Sequence, residues 1–192
     1  MNKSCSPFVL LKKFTPLIIV LIGAISTNAQ LSSSQQFPSI KIGNQEWMTV
    51  NWGYKTPKSF FYNNDSNINY QYGRLYYYSN ALAACPPGWH LPTLDEWWEL
   101  INYLGGPSKA AFQMFAVNDS SVQIVAGGYK SANLSEGEDL FGFLDTYAFY
   151  WTATPDAEQT AYAIHITKSS GEFEITSFRR ANGFSVRYVK DE

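Results

Sequence analysis

The run PPGWHLPTLDEWWELINYLGG at residues 86–106 limits the fold of this chain more than any other stretch. Pro86, Pro87 and Gly88 make a turn, and Trp89 to Pro92 form a short extended entry. Thr93 with Glu96 three residues on is a capping box. In that motif the N-cap hydroxyl accepts from the N3 amide, and the N3 carboxylate reaches back to the N-cap amide. Trp97, Leu100, Ile101 and Leu104 follow at i, i+3, i+4 and i+7, which is one face of a helix. Gly105 and Gly106 end it, and Pro107 blocks its continuation. A helix with so large an apolar stripe must be laid against a second apolar surface.

The last third of the chain offers that surface. Phe149 to Thr154 reads as a strand. Tyr162, Ile164 and Ile166 alternate with Ala163, His165 and Thr167, so His165 occupies the sheet face opposite the isoleucines. A turn at Ser169-Ser170-Gly171 precedes a further strand with Phe173 and Ile175. Asn182-Gly183 precedes a last strand with Phe184, Val186 and Tyr188 on one face. Upstream, Ile40 and Ile42, the turn Gly43-Asn44 and Trp47 to Trp52 predict a hairpin. Residues 53–73 read as a long loop with aromatic pegs, Ser79 to Cys85 as a helix with Ala81, Leu82 and Ala84 inward, and Ser108 to Phe115 as a further short helix. Residues 118–146 read as irregular. The sum is an α+β chain with helices early and an antiparallel sheet late.

The N-terminus has the form of an export signal. Lys3, Lys12 and Lys13 precede the apolar run Leu17 to Ile25, which is too short to cross a bilayer comfortably, and Ala29 suits cleavage before Gln30. An uncleaved membrane anchor is the alternative. The expected organisation is a signal at 1–29, a Ser/Gln-rich leader at 30–38 and one domain at 39–192, with no membrane span after cleavage. The destination is the periplasm, the cell surface or the medium. The formal net charge of −2 becomes more negative when three lysines leave, so there is no electrostatic reason to expect nucleic acid as a partner. Cys5 leaves too, and Cys85 then stands alone. It reads either as a reactive thiol or as a small buried residue at a helix end, and the second is the expectation.

Aromatic residues make up 17% of the chain. Most tryptophans are expected in the core, whereas Tyr54, Phe61, Tyr62 and Tyr70 fall in the long loop and are the candidate ligand-binding residues. Trp and Tyr present a broad apolar face with a polar handle, which suits sugar rings and protein interfaces. Asn133, Glu136, Glu138, Asp139 and Asp145 cluster oxygen ligands as a calcium site would. They lack EF-hand spacing, and a solvated acidic loop is the expectation over a calcium site. No other cofactor is expected. His90 reads as a packed linker residue, Glu96 as a cap, and Arg187 as pairing with a carboxylate or with carbonyls. Arg179 and Arg180 either bind a carboxylate or solvate a turn. Two distant histidines give no zinc pattern, and no nucleophile elbow is present.

The motifs IGNQEWM, Tyr72-Gly73-Arg74-Leu75-Tyr76, ALAACPPGWHLPTLDEW, AGGY at 126–129, YWTAT at 150–154 and GFSVRYVKD at 183–191 occur in the order in which they are found in the Fibrobacter succinogenes major paralogous domain. The chain resembles that family over residues 40–191. The resemblance implies an exported bacterial protein without an assigned activity. More distantly, HLPTLDEW and Arg180 with GFSVR are similar to segments of formylglycine-generating, sulfatase-modifying enzymes and, through them, to the C-type-lectin-like fold. That resemblance implies two main helices packed on small antiparallel sheets, with a long irregular loop region. The reactive cysteine pair of those enzymes and the calcium motifs of sugar-binding lectins are both missing. Many relatives carry a cysteine where this chain has Tyr188, which implies that Cys85 and Tyr188 lie close together. Cys85, Trp89, Thr93, Glu96, Trp97 and Tyr188 are the expected structural residues. The leading expectation is a non-enzymatic exported module that binds polysaccharide or a surface protein. The alternatives are a divergent enzyme related to formylglycine generation and a purely structural surface protein.

Overall fold

The computed structural model describes residues 37–117, 122–132 and 140–192. Strand β1 (Ser39–Ile42) turns at Gly43 into β2 (Gln45–Met48), with Ile40 opposite Trp47. At the other end of the chain, β11 (Val189–Lys190) inserts between β2 and β5 (Trp89–His90), so that Val189 faces Trp47 on one side and His90 on the other. The first and last strands of the described chain thus close one four-stranded antiparallel sheet, ordered β1-β2-β11-β5.

A larger sheet has the order β10-β9-β8-β6-β7. It is built from β6 (Gly127–Lys130), β7 (Phe141–Leu144), β8 (Tyr147–Ala157), β9 (Thr160–Thr167) and β10 (Phe173–Arg179). Strands β8 to β10 form an antiparallel meander, and β6 lies parallel to β8. A third sheet pairs β3 (Ser59–Phe60) with β4 (Leu75–Tyr76). The helices are α1 (Ser66–Asn69), α2 (Tyr78–Ala83), α3 (Leu94–Tyr103) and α4 (Pro107–Phe115). Among the described residues no helix is long and apolar enough to cross a membrane.

This architecture corrects the expected one. The chain is mostly β, with eleven strands in three sheets among the described residues. It is not two main helices on small sheets, and the C-type-lectin-like arrangement does not hold. The stretch read as irregular, 118–146, contains β6 and β7. Their sequences disguise them. Gly128 has φ +64, and a Cβ there would stand 2.3 Å from the Gly142 carbonyl oxygen. Gly127-Gly128 is therefore a place where two strands come unusually close, not the turn that such a pair suggests.

Helix α3 forms where expected. The Thr93 side chain accepts from the Glu96 amide, and the Glu96 side chain accepts from the Thr93 amide. Trp97, Leu100 and Ile101 are buried against Trp47, Val189, Ala148, Tyr150, Ile164 and Ile166. The Trp97 and Trp47 ring centres are 4.6 Å apart. Pro107 does more than stop the chain: it opens α4 at a first-turn position, where its missing N–H costs nothing. Leu82, expected inward, is 38% exposed.

Strand β8 explains the second core. Its run Tyr147-Ala148-Phe149-Tyr150-Trp151 is apolar at every position, as a strand covered on both faces must be. Ala148 and Tyr150 join the α3 and α4 side. Phe149 and Trp151 face the other way, into a cluster with Tyr76, Ala81, Trp89, Phe184, Val186 and Tyr188. Phe184, Val186 and Tyr188 share a face as their alternation predicts. Much of that segment is held by isolated bridges, Tyr76 to Phe184 and Tyr150 to Ser185, not by a continuous ladder.

Candidate functional site

The titratable groups that sequence patterns single out are largely committed to holding the fold. Arg187 is fully buried. Its Nη1 donates to the Met48 carbonyl at 2.8 Å and to the Val122 carbonyl, and its Nη2 donates to Asn51 Oδ1 at 2.7 Å and to the Gln123 carbonyl at 3.2 Å. Carbonyls and one amide, not a carboxylate, receive the guanidinium. Burial pushes its pKa down. Asn51 Oδ1 also accepts from the Tyr150 hydroxyl at 2.7 Å, and Asn51 Nδ2 donates to the Tyr72 carbonyl at 2.9 Å. This network fastens the 122–125 segment to the chain after β2 and to β8.

His90 is likewise structural, though in a way its neighbours in sequence conceal. Its Nε2 lies 2.8 Å from Glu96 Oε1 and its Nδ1 lies 2.7 Å from Asp191 Oδ1. A ring bonded to two carboxylates donates from both nitrogens as the imidazolium. Burial opposes that charge, but the two carboxylates outweigh it and the His90 pKa is raised. Glu96 is opposed by burial in the same way, yet the bonds from His90 and Thr93 bring its carboxyl down to about 2. Arg180 donates to the Thr160 and Ala157 carbonyls, both at 3.0 Å, and lies over the Tyr78 ring. It fastens the end of the β8–β9 hairpin.

Of the four candidate aromatic ligands, two stand out and two are pegged down. Tyr54 is 66% and Tyr70 80% exposed. Phe61 is half-buried beneath Arg74, whose guanidinium carbon is 4.2 Å from the ring centre. Tyr62, also half-buried, packs on Phe141 with ring centres 5.4 Å apart. Four of the five candidate calcium ligands, Asn133, Glu136, Glu138 and Asp139, lie outside the described residues. The fifth, Asp145, is ion-paired with Lys168. Among the described residues no group of three His, Cys, Asp or Glu side chains is placed to hold a metal ion. Cys85 packs against the same core as Tyr188. Trp89, Thr93, Glu96, Trp97 and Tyr188 all take structural places, and the Tyr188 hydroxyl donates to the Ala81 carbonyl at 2.7 Å.

A further aromatic surface escaped the sequence reading. On the face of the large sheet opposite α3, the buried Phe149 ring stacks on Phe184 and on His165, at centroid distances of 5.0 and 4.5 Å. From there the rings continue outward. Tyr147 lies 4.8 Å from His165, Phe143 lies 4.8 Å from Tyr147, and Tyr129 lies 5.8 Å from Phe143. Phe143, in a left-handed conformation with φ 62°, is 51% exposed. Alternation in β9 places His165 opposite the isoleucines, whereas Tyr147 falls before the strand expected at Phe149 to Thr154. Nothing local aligns them with Tyr129 and Phe143, because that alignment depends on the β6–β7 and β6–β8 pairings.

Fold and surface together define a β-rich domain in which His90, Glu96, Arg180 and Arg187 bond within the fold while Tyr54, Tyr70 and Phe143 are exposed. The sequence model of the Fibrobacter succinogenes major domain matches residues 40–190, and the chain belongs to that family. No curated protein and no solved structure matches it.

Proposed function

We propose that this chain is an exported, non-enzymatic binding module that engages polysaccharide or protein at the cell surface. The observation that carries the reading is the pairing of exposed rings with a rigid base at Tyr54 and Tyr70. The Tyr54 carbonyl accepts from the buried Tyr76 hydroxyl at 2.6 Å, and its ring leans on Trp52. The Tyr70 carbonyl accepts from the Gly73 amide at 3.2 Å. Gly73 in turn has φ +74 and abuts Asn51 so closely that a Cβ would stand 2.7 Å from the Asn51 Cβ. Exposed rings whose backbone is already ordered lose little entropy on binding. The commitment of His90, Glu96 and Arg187 to the fold supports a binding role over a catalytic one.

The signal-like N-terminus supports export, and envelope material is the place to seek the partner. Full-length protein used to capture partners from an envelope extract, with glycans retained, should hold a specific component. The double variant Tyr54→Ala/Tyr70→Ala should retain at least tenfold less of it. Equal retention by wild type and variant would overturn the reading.

A further inference from the structure

The aromatic face of the large sheet is a second surface with its own chemistry. Its rings meet edge to face: the Phe143 and Tyr147 planes cross at 79°, and the Tyr147 and His165 planes at 63°. At centroid separations of 4.8 Å there is no hollow between them. The surface is therefore a filled, stepped platform with Phe143 its most exposed ring, and not the enclosed cage that aromatic side chains build around a cation. What a platform accepts is a flat ligand with an apolar face.

Polar groups lie beside these rings. Glu174 is directly opposite His165 in the β9–β10 register, with its carboxylate 3.6 Å from Nδ1 and its side chain 53% exposed. The phenol hydroxyls of Tyr129 and Tyr147 bond to no described residue. Together they offer one strong acceptor and two groups that both donate and accept. A ligand matching this surface has C–H faces for the rings and hydroxyls around its perimeter, which is the make-up of a pyranose chain. The carboxylate adds a sign. An exposed acid beside the stacking rings repels a polyanion and leaves a neutral one unopposed.

We infer that the face formed by Tyr129, Phe143, Tyr147 and His165, with Glu174 at its margin, binds an uncharged polysaccharide by ring stacking. The inference rests on the binding-module reading above and adds to it a separate site and a ligand class. The platform is the open continuation of the buried Phe149 and Phe184 stack, so it is held in place before any ligand arrives.

The test uses the full chain and three soluble probes: hydroxyethylcellulose and galactomannan as neutral polymers, and polygalacturonate as an anionic one. Affinity electrophoresis and titration calorimetry should show binding to at least one neutral polymer and at least tenfold weaker binding to polygalacturonate. Phe143→Ala and Tyr147→Ala should each lower neutral-polymer affinity tenfold or more, and Glu174→Gln about threefold. Phe143 and Glu174 are exposed, so their variants should keep the wild-type thermal midpoint. If neutral polymer binds, Phe143→Ala and Tyr147→Ala bind it as wild type does, and Tyr54→Ala/Tyr70→Ala does not, the platform is wrong and the loop-tyrosine reading survives. Preference for polygalacturonate overturns the neutral-ligand assignment. Retention of neither neutral polymer overturns the platform, and the envelope capture then decides the wider reading by itself.

Discussion

Arg187 and Asn51 are joined at 2.7 Å, Nη2 to Oδ1, inside the domain and 136 residues apart in sequence. Nothing larger than an amide oxygen answers the guanidinium. Its charge is spread over Asn51 and the carbonyls of Met48, Val122 and Gln123. Through them it gathers the end of β2, the segment before β6 and the last stretch of the chain at one point.

Removing that point should cost far more than a surface substitution. Arg187→Met keeps the stem but removes the donors shared by the Met48, Val122 and Gln123 carbonyls and by Asn51 Oδ1, which keeps only the Tyr150 hydroxyl, and a buried acceptor left unpaired costs about 1–3 kcal/mol. We expect a loss of at least about 3 kcal/mol of unfolding free energy by urea titration. Arg187→Lys should not rescue it, because a point ammonium cannot present the planar fork that reaches four oxygens at once. A lysine variant as stable as wild type would show that charge, not fork geometry, holds this junction.

The Gly128 contact gives a prediction with an internal control. Gly128 and Gly88 both have positive φ, +64 and +80, but a Cβ at Gly88 meets nothing within 4 Å. Gly88→Ala therefore carries only the cost of left-handed backbone, roughly 1–2 kcal/mol. Gly128→Ala carries that and must also move β7 off β6, because the clash is with backbone at 2.3 Å. Its loss in thermal denaturation should clearly exceed that of Gly88→Ala. Equal losses would mean that the two strands separate without penalty.

These residues also show what a reader of the sequence can and cannot see. The Thr93–Glu96 box, the helical stripe from Trp97 and the alternation through β9 are local patterns, and the structure reproduces them. Strands β6 and β7 were invisible because each is four residues long. One carries a glycine pair, and the other follows an acidic run and has a glycine between its phenylalanines, both of which imitate a loop. The overall class followed from that omission: two missing strands and a distant resemblance left the helices looking more important than they are. Exposure failed for a different reason. Tyr54, Phe61, Tyr62 and Tyr70 share a loop and a composition, yet Arg74 and Phe141 cover two of them. Phe141 lies far along the chain, and Arg74, although it directly follows the loop, carries no local mark that it folds back over Phe61.

The His90 cluster makes the domain's stability depend on pH from two sides. The partner Asp191 lies 101 residues away, on the residue after β11, and its amide also donates to the Gly88 carbonyl at 2.9 Å. His90 thus ties the end of the described chain to the cap of α3. Its folded pKa is raised above the ordinary 6.5. The unfolded chain then holds fewer protons than the folded one as pH rises, so the contribution is complete below 6.5 and is lost as pH climbs through the raised value. Glu96 works in reverse, falling from an ordinary 4.5 to about 2. Its contribution is complete above 4.5 and is lost as pH falls through about 2. Both terms are therefore present between 4.5 and 6.5. Urea midpoints measured from pH 3 to 9 should show His90→Gln closest to wild type at the alkaline end and furthest below it inside that window. Glu96→Gln should instead see its disadvantage begin to shrink at the acidic end, below pH 4.5. A His90→Gln deficit that is the same at every pH would mean that the ring is neutral in the folded domain and that the two carboxylates do not hold its proton.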